Sequence, residues 1–173
     1  MRVARRVAVS FSPRQYEGSL DAARLRFGVV CARWNPTVTD AMLEAAIDTL
    51  RRRGAREADV VVARVPGAFE VPAGAKALID SGRFHGLVAL AAIVRGETTH
   101  HEVLGHSIAN ALAVLTVQSE IPIGFGILTC ETMEQARART DKGVEAAEAA
   151  IEMANLRRHL RKAGGPVKSR GRG

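Results

Sequence analysis

Gly96-Glu97-Thr98-Thr99-His100 brings together the residue types in this chain best suited to chemistry on a small anionic molecule. Gly96 lets the backbone turn tightly, and Thr98 and Thr99 present N–H and O–H donors where a helix is due to begin. Such a start combines unpaired amide donors with the positive end of the helix dipole, which suits a phosphate. The same donors would serve an ordinary threonine-capped helix equally well. His100 is of the type that carries protons near neutral pH. His101 follows it and points about 100° away on a helix, so the two cannot share one task.

Other chemistries fit less well. His101 and His106 resemble a zinc-binding HExxH pair with one residue too many, and residues five apart lie about 140° apart on a helix. No metal site is expected. There is no Walker A pattern, and Gly124-Phe125-Gly126 falls inside a predicted strand, where a dinucleotide fingerprint would have to follow one. Cys31 and Cys130 lie near strand ends, away from any Cys/His cluster, and are expected to be buried reduced thiols.

Elements that must position the loop come in four repeats of strand, polar loop and helix. Near-continuous apolar strands are expected at Phe27–Ala32, Val60–Val65, Leu87–Val94 and Ile123–Leu128. Helices follow from Pro36 to Gly54, from Glu70 to about Asp80, after His100, from Met133 to about Arg139, and from Lys142 to Leu160. This pattern implies a parallel sheet covered on both faces: a three-layer α/β/α sandwich with four strands, flavodoxin-like in shape. Residues 25–162 form the expected single domain, preceded by a segment, 1–24, in which Val7, Val9 and Phe11 alternate like an edge strand. Residues 163–173 read as a basic disordered tail.

The net charge of +7 is unevenly spread, since 157–173 carry +7 and 1–24 carry +3, leaving −3 for the core. Nucleic-acid binding by the domain is therefore not expected. The longest apolar run is too short to span a bilayer. No apolar signal segment follows Arg5 and Arg6, so a cytoplasmic location without membrane attachment is expected.

In open parallel sheets ligands bind beyond the carboxyl ends of the strands. Trp34 stands in the first such loop, Ala68, Phe69 and Glu70 in the second, and Thr98, Thr99 and His100 in the third. Trp34 and Phe69 could sandwich a planar heterocycle, with Glu70 accepting hydrogen bonds from hydroxyls, or the three could serve packing and a helix start. Arg139 could clamp a phosphate or simply sit in a solvated turn.

Four motifs, Arg33-Trp34-Asn35, Pro66-Gly67-Ala68-Phe69-Glu70-Val71-Pro72, Arg95-Gly96-Glu97-Thr98-Thr99-His100-His101-Glu102 and Phe125-Gly126-Ile127-Leu128-Thr129, resemble 6,7-dimethyl-8-ribityllumazine synthases in order and spacing. Glu134-Gln135-Ala136 and Lys142-Gly143-Val144-Glu145-Ala146-Ala147 extend the resemblance over about residues 26–160. It implies condensation of 5-amino-6-ribitylaminouracil with 3,4-dihydroxy-2-butanone 4-phosphate, the penultimate step of riboflavin synthesis, with no cofactor or metal. It further implies stacking by Trp34 and ribityl binding by Ala68, Phe69 and Glu70. Glu97, Thr98 and Thr99 would bind substrate, the threonines through its phosphate, and His100 would transfer protons. Phe125, Arg139 and Lys142 would come from an adjacent subunit of a homo-oligomer, a pentamer or a multiple of it. Two features depart from the family pattern: Trp34 replaces the commoner phenylalanine, and only Thr140 and Asp141 separate Arg139 from Lys142. The second leaves open a non-catalytic flavin- or lumazine-binding, or shell-forming, paralogue.

Overall fold

The computed structural model describes residues 13–164. Val7, Val9 and Phe11, and the tail from Gly165 onward, lie outside the described residues. The elements run β1 (Phe27–Ala32), α1 (Pro36–Arg52), β2 (Val60–Val65), α2 (Val71–Asp80), β3 (Gly86–Val94), α3 (His100–Ser119), β4 (Ile123–Cys130), α4 (Met133–Arg137) and α5 (Lys142–Ala163). Two 3₁₀ turns, Glu57–Asp59 and Ala68–Glu70, lead into β2 and α2. β1 and β2 have the bounds that their apolar runs predict. β4 continues two residues past the expected Leu128, because its ladder with β3 runs on to pair Val94 with Cys130.

All strands are parallel, in the order β2-β1-β3-β4. Alternate residues of the central strands serve two cores. On one face Phe27, Val29, Val88 and Leu90 pack with Met42 and Leu50 of α1 and Ile151 of α5. On the other, Val30, Leu87 and Ala89 pack with Val71 and Ala75 of α2 and Ile108 and Leu112 of α3. β1 is buried throughout and β3 nearly so, as expected for strands covered on both faces, and each fully buried large side chain contributes about 1.5–3 kcal/mol. β2, an edge strand, is less covered than its sequence suggests, and Val61 and Val62 are exposed.

Small residues set how closely α5 approaches. Ala146, Ala147, Ala150 and Ala154 face the core. A Cβ on Gly124 would land on the Ala146 carbonyl oxygen, and one on Gly143 would land on that of Met42. The segment before β1 is joined to α5 as well, through Asn155 Nδ2, which donates to the carbonyls of Ser19 (2.9 Å) and Asp21 (2.8 Å).

Both cysteines are free and buried. Burial pushes the Cys31 thiol up to about 11 and also raises that of Cys130, so neither forms much nucleophilic thiolate near neutrality. Iodoacetamide at pH 8 is therefore expected to label neither until the protein is denatured, as read by intact mass; rapid labelling of the native protein would contradict this burial. No helix among the described residues is long and apolar enough to cross a membrane.

Candidate active site

The strand order reverses direction at β1, since β2 lies on one side of it and β3 on the other. Loops leaving the carboxyl ends of β1 and β3 consequently run to opposite faces, toward α1 and α3, and open a crevice between them. Three loops build this crevice.

The first follows β1. Arg33 N–H donates to the Val65 carbonyl (2.8 Å) and Trp34 N–H to that of Pro66 (3.2 Å), which ties this loop to the one after β2. Asn35 then takes a left-handed conformation, φ 59°, at the start of α1, a region that asparagine tolerates better than most residues. Its Nδ2 donates to the Ala92 carbonyl at 2.8 Å, fixing the loop to the end of β3. Trp34 is thereby left 69% exposed over the crevice.

The second loop turns at Gly67. Glu70 reaches back, and its Oε2 accepts from the Gly67 N–H at 2.9 Å. A Cβ on Gly67 would sit 3.0 Å from the Trp34 ring and 3.2 Å from Glu70 Oε2, so the absence of a side chain lets aromatic and carboxylate close on one another. Phe69, also 69% exposed, projects from the same turn.

The third loop is secured by Arg95 N–H, which donates to the Cys130 carbonyl (2.9 Å). Thr99 is the residue preceding α3, yet its side chain accepts no capping bond. Thr98 Oγ1 instead takes a long bond from the His100 N–H (3.4 Å). The Thr99 hydroxyl thus remains available for another partner, as a simple capped helix would not leave it.

Together these loops enclose a cavity of about 470 Å³, within the range of small-molecule sites. Trp34, Ala68, Phe69, Glu70, Thr98 and His100 line it, with Asn35, the last residues of β3 and His101. Glu97 and Thr99 belong to the third loop but do not line the cavity wall. Among the described residues no group of three His, Cys, Asp or Glu side chains could hold a metal ion.

The family model described as 6,7-dimethyl-8-ribityllumazine synthase matches residues 24–158. The chain belongs to this family. It is a lumazine synthase, a transferase of riboflavin biosynthesis that condenses 5-amino-6-(D-ribitylamino)uracil with 3,4-dihydroxy-2-butanone 4-phosphate to 6,7-dimethyl-8-ribityllumazine, releasing phosphate and water. The parallel three-layer sandwich is consistent with the family fold.

Three further residues named from the lumazine synthase motifs stand outside the cavity of their own chain. Phe125 lies on edge strand β4 and is half exposed. Arg139 occupies the turn after α4, its Nη1 donating to the Gln135 carbonyl at 2.9 Å. Lys142, the first residue of α5, pairs with Glu145 at 2.5 Å. The short turn between Arg139 and Lys142 is closed by backbone bonds from Lys142 N–H to Arg139 O (3.0 Å) and from Gly143 N–H to Thr140 O (3.1 Å).

Among the polar lining residues, two were not site candidates in the sequence reading. Asn35 carried no chemical signal beyond its place beside Trp34, although its position before Pro36 is a helix start. His101 could be placed only on a different side of the helix from His100. It is in fact 4% exposed, directly behind the loop.

Proposed function

We propose that this cavity is half of the lumazine synthase active site and that an adjacent subunit of a homo-oligomer completes it. Convergence of Trp34, Ala68–Glu70, Thr98 and His100 from three separate strand ends carries this reading. Trp34 stacks on the pyrimidine, an arrangement open to a planar ligand because the indole is exposed. The Ala68–Phe69–Glu70 turn receives the ribityl chain, where the Glu70 carboxylate, already oriented by the Gly67 N–H, accepts from hydroxyls. Thr98 and Thr99 take the phosphate at the start of α3, with Glu97 in the same loop.

Chemistry then proceeds by positioning and proton transfer. The substrate amine attacks the ketone to give an imine with loss of water. Phosphate leaves by elimination, and the ribityl-bearing nitrogen closes the ring with loss of water. His100, beside the phosphate loop and on the cavity wall, moves the protons. Phe125, Arg139 and Lys142 come from the neighbouring subunit, where the Arg139 guanidinium meets the phosphate.

Exposed apolar surface supports oligomerisation. α3 buries only His101, Ile108 and Leu112 of its 20 residues, while Val103, Val114 and Val117 are exposed, as is Phe125 on β4. Apolar surface of this extent commonly marks a protein contact. A pentameric ring, or a multiple of it, accommodates a site shared head to tail between neighbours, because a heterologous contact closes by rotation. The catalytic unit spans residues 25–162, with Ser19 and Asp21 of the preceding segment bonded to Asn155 of α5, and the enzyme is cytoplasmic.

Mixing the two substrates with the protein is expected to yield a product with lumazine absorbance and fluorescence, from a species whose solution mass is five subunits or a multiple of five. Turnover by a stable monomer would refute the shared site. Equilibrium riboflavin binding without turnover would refute catalysis by this chain.

A further inference from the structure

His101 lies behind the phosphate loop, and its two ring nitrogens face different partners. Nδ1 is 3.3 Å from the carbonyl oxygen of Thr98. A carbonyl can only accept, so this contact is a hydrogen bond when Nδ1 carries the hydrogen. Nε2 faces two carboxylates, Glu131 Oε1 at 3.6 Å and Glu102 Oε1 at 4.0 Å, which likewise only accept, so both sides of the ring are engaged together when each nitrogen carries a hydrogen. Glu131 is held in turn by Arg95, whose Nη1 donates to Oε2 at 2.7 Å. The Arg95 guanidinium, followed by burial and then the nearby His101, sets the Glu131 carboxyl, with a net lowering of its titration. A path of contacts thus runs from Arg95 through Glu131 and His101 to the backbone of Thr98.

Its ends are anchored where they must be. Glu131 follows β4 directly, and Arg95 follows β3. α3 reaches them because residue 105 is glycine: a Cβ there would lie 2.8 Å from Thr129 Oγ1 and press the helix off the strand. A buried imidazole with one nitrogen on a loop carbonyl is therefore a product of the α3–β4 packing.

What this does to the loop follows from peptide geometry. The peptide between Thr98 and Thr99 is planar and trans, so its C=O and N–H point in opposite directions. Holding the Thr98 carbonyl toward His101, in the sense that continues the helix, turns the Thr99 N–H outward, as helix-start donors face an anion. Rotation of that plane would present a carbonyl oxygen to the phosphate instead.

We propose that His101 is a positioning residue for the phosphorylated substrate: it fixes the Thr98–Thr99 peptide so that the Thr99 N–H faces the phosphate, and Glu131 and Arg95 hold its ring in place. This rests on the reading of the loop as the phosphate site. His101 acts through the loop backbone, away from the reacting atoms of either substrate, on affinity for one substrate of the two.

The test compares His101→Phe, His101→Asn and Glu131→Gln, with Thr98→Val as a marker for the loop itself. Phe keeps the ring and removes the donor. Asn places Nδ2 where Nδ1 stood and restores it. His101→Phe is expected to raise KM for the butanone phosphate by about tenfold, the scale of one lost orienting hydrogen bond. KM for the pyrimidine and kcat should stay within about twofold, since neither depends on that bond. His101→Asn should recover most of the loss. Glu131→Gln should raise the same KM by about threefold, and should add nothing in the His101→Phe background because it acts through His101. A parallel fall in kcat with every KM unchanged, no rescue by Asn, or additive effects of the two changes would overturn the proposal. If Thr98→Val raises KM for the butanone phosphate and His101→Phe does not, the inference fails alone. If neither moves it, the phosphate reading of the loop fails with it.

Discussion

His100→Ala is expected to lower kcat by about a hundredfold, the lower end of what a positioned acid/base group supplies. The side chain lines the cavity and is exposed, and its removal deletes no buried contact. Binding of both substrates should therefore change little, and the loss should fall on kcat and kcat/KM alike. Residual turnover is expected, because the cavity still brings amine and ketone together. Rates within a few fold of the parent would remove His100 from the proton-transfer role while leaving the cavity as the site.

Arg139→Ala is expected to cost about a hundredfold in kcat/KM, the worth of one strong charge-assisted bond to phosphate, with most of it in KM for the butanone phosphate. This prediction depends on the neighbour. Within one chain Arg139 donates to the Gln135 carbonyl and does not line the cavity, so a monomeric account gives it no substrate to lose. Its guanidinium is exposed, and truncation should leave the fold intact. A steady-state comparison over both substrates distinguishes the two cases directly.

Much of the architecture could be read from the chain because local and long-range signals agree. Phe27–Ala32 and Val60–Val65 are continuous apolar runs, and they form strands of those bounds. β4 outran its apolar run because Thr129 and Cys130 are held by pairing with β3, a partner some 36 residues earlier in the register. Cover over the edge strand was overestimated for a related reason: Val61 and Val62 have the composition of a buried strand, and nothing local reveals that β2 ends the sheet.

The site divides along the same line. Trp34, Ala68–Glu70, Thr98 and His100 were accessible because strand ends predict which loops converge. Asn35 was not, since its bond reaches Ala92, 57 residues away, through a left-handed conformation that spacing does not encode. His101 needed the approach of α3 to β4 at Gly105 before Glu131 could be seen beside it. Phe125 and Lys142 came from the family resemblance alone, which also decided for Arg139 between a phosphate clamp and a solvated turn, and none of the three lines the cavity of its own chain.

A shared site can be tested by mixing the two impaired variants and assaying at butanone phosphate well below its KM, where both defects are expressed. His100→Ala and Arg139→Ala subunits, co-refolded or co-expressed in equal amounts, would generate interfaces in which an intact His100 meets an intact Arg139. Random assembly around a head-to-tail ring makes roughly one interface in four of this kind. Recovery to about a quarter of parental activity is the expected result, with both variants alone near their own baselines. Activity in the mixed assemblies no greater than the mean of the two variants, with mixing verified by mass, would contradict a site built from the Thr98–His100 loop of one subunit and Arg139 of the next.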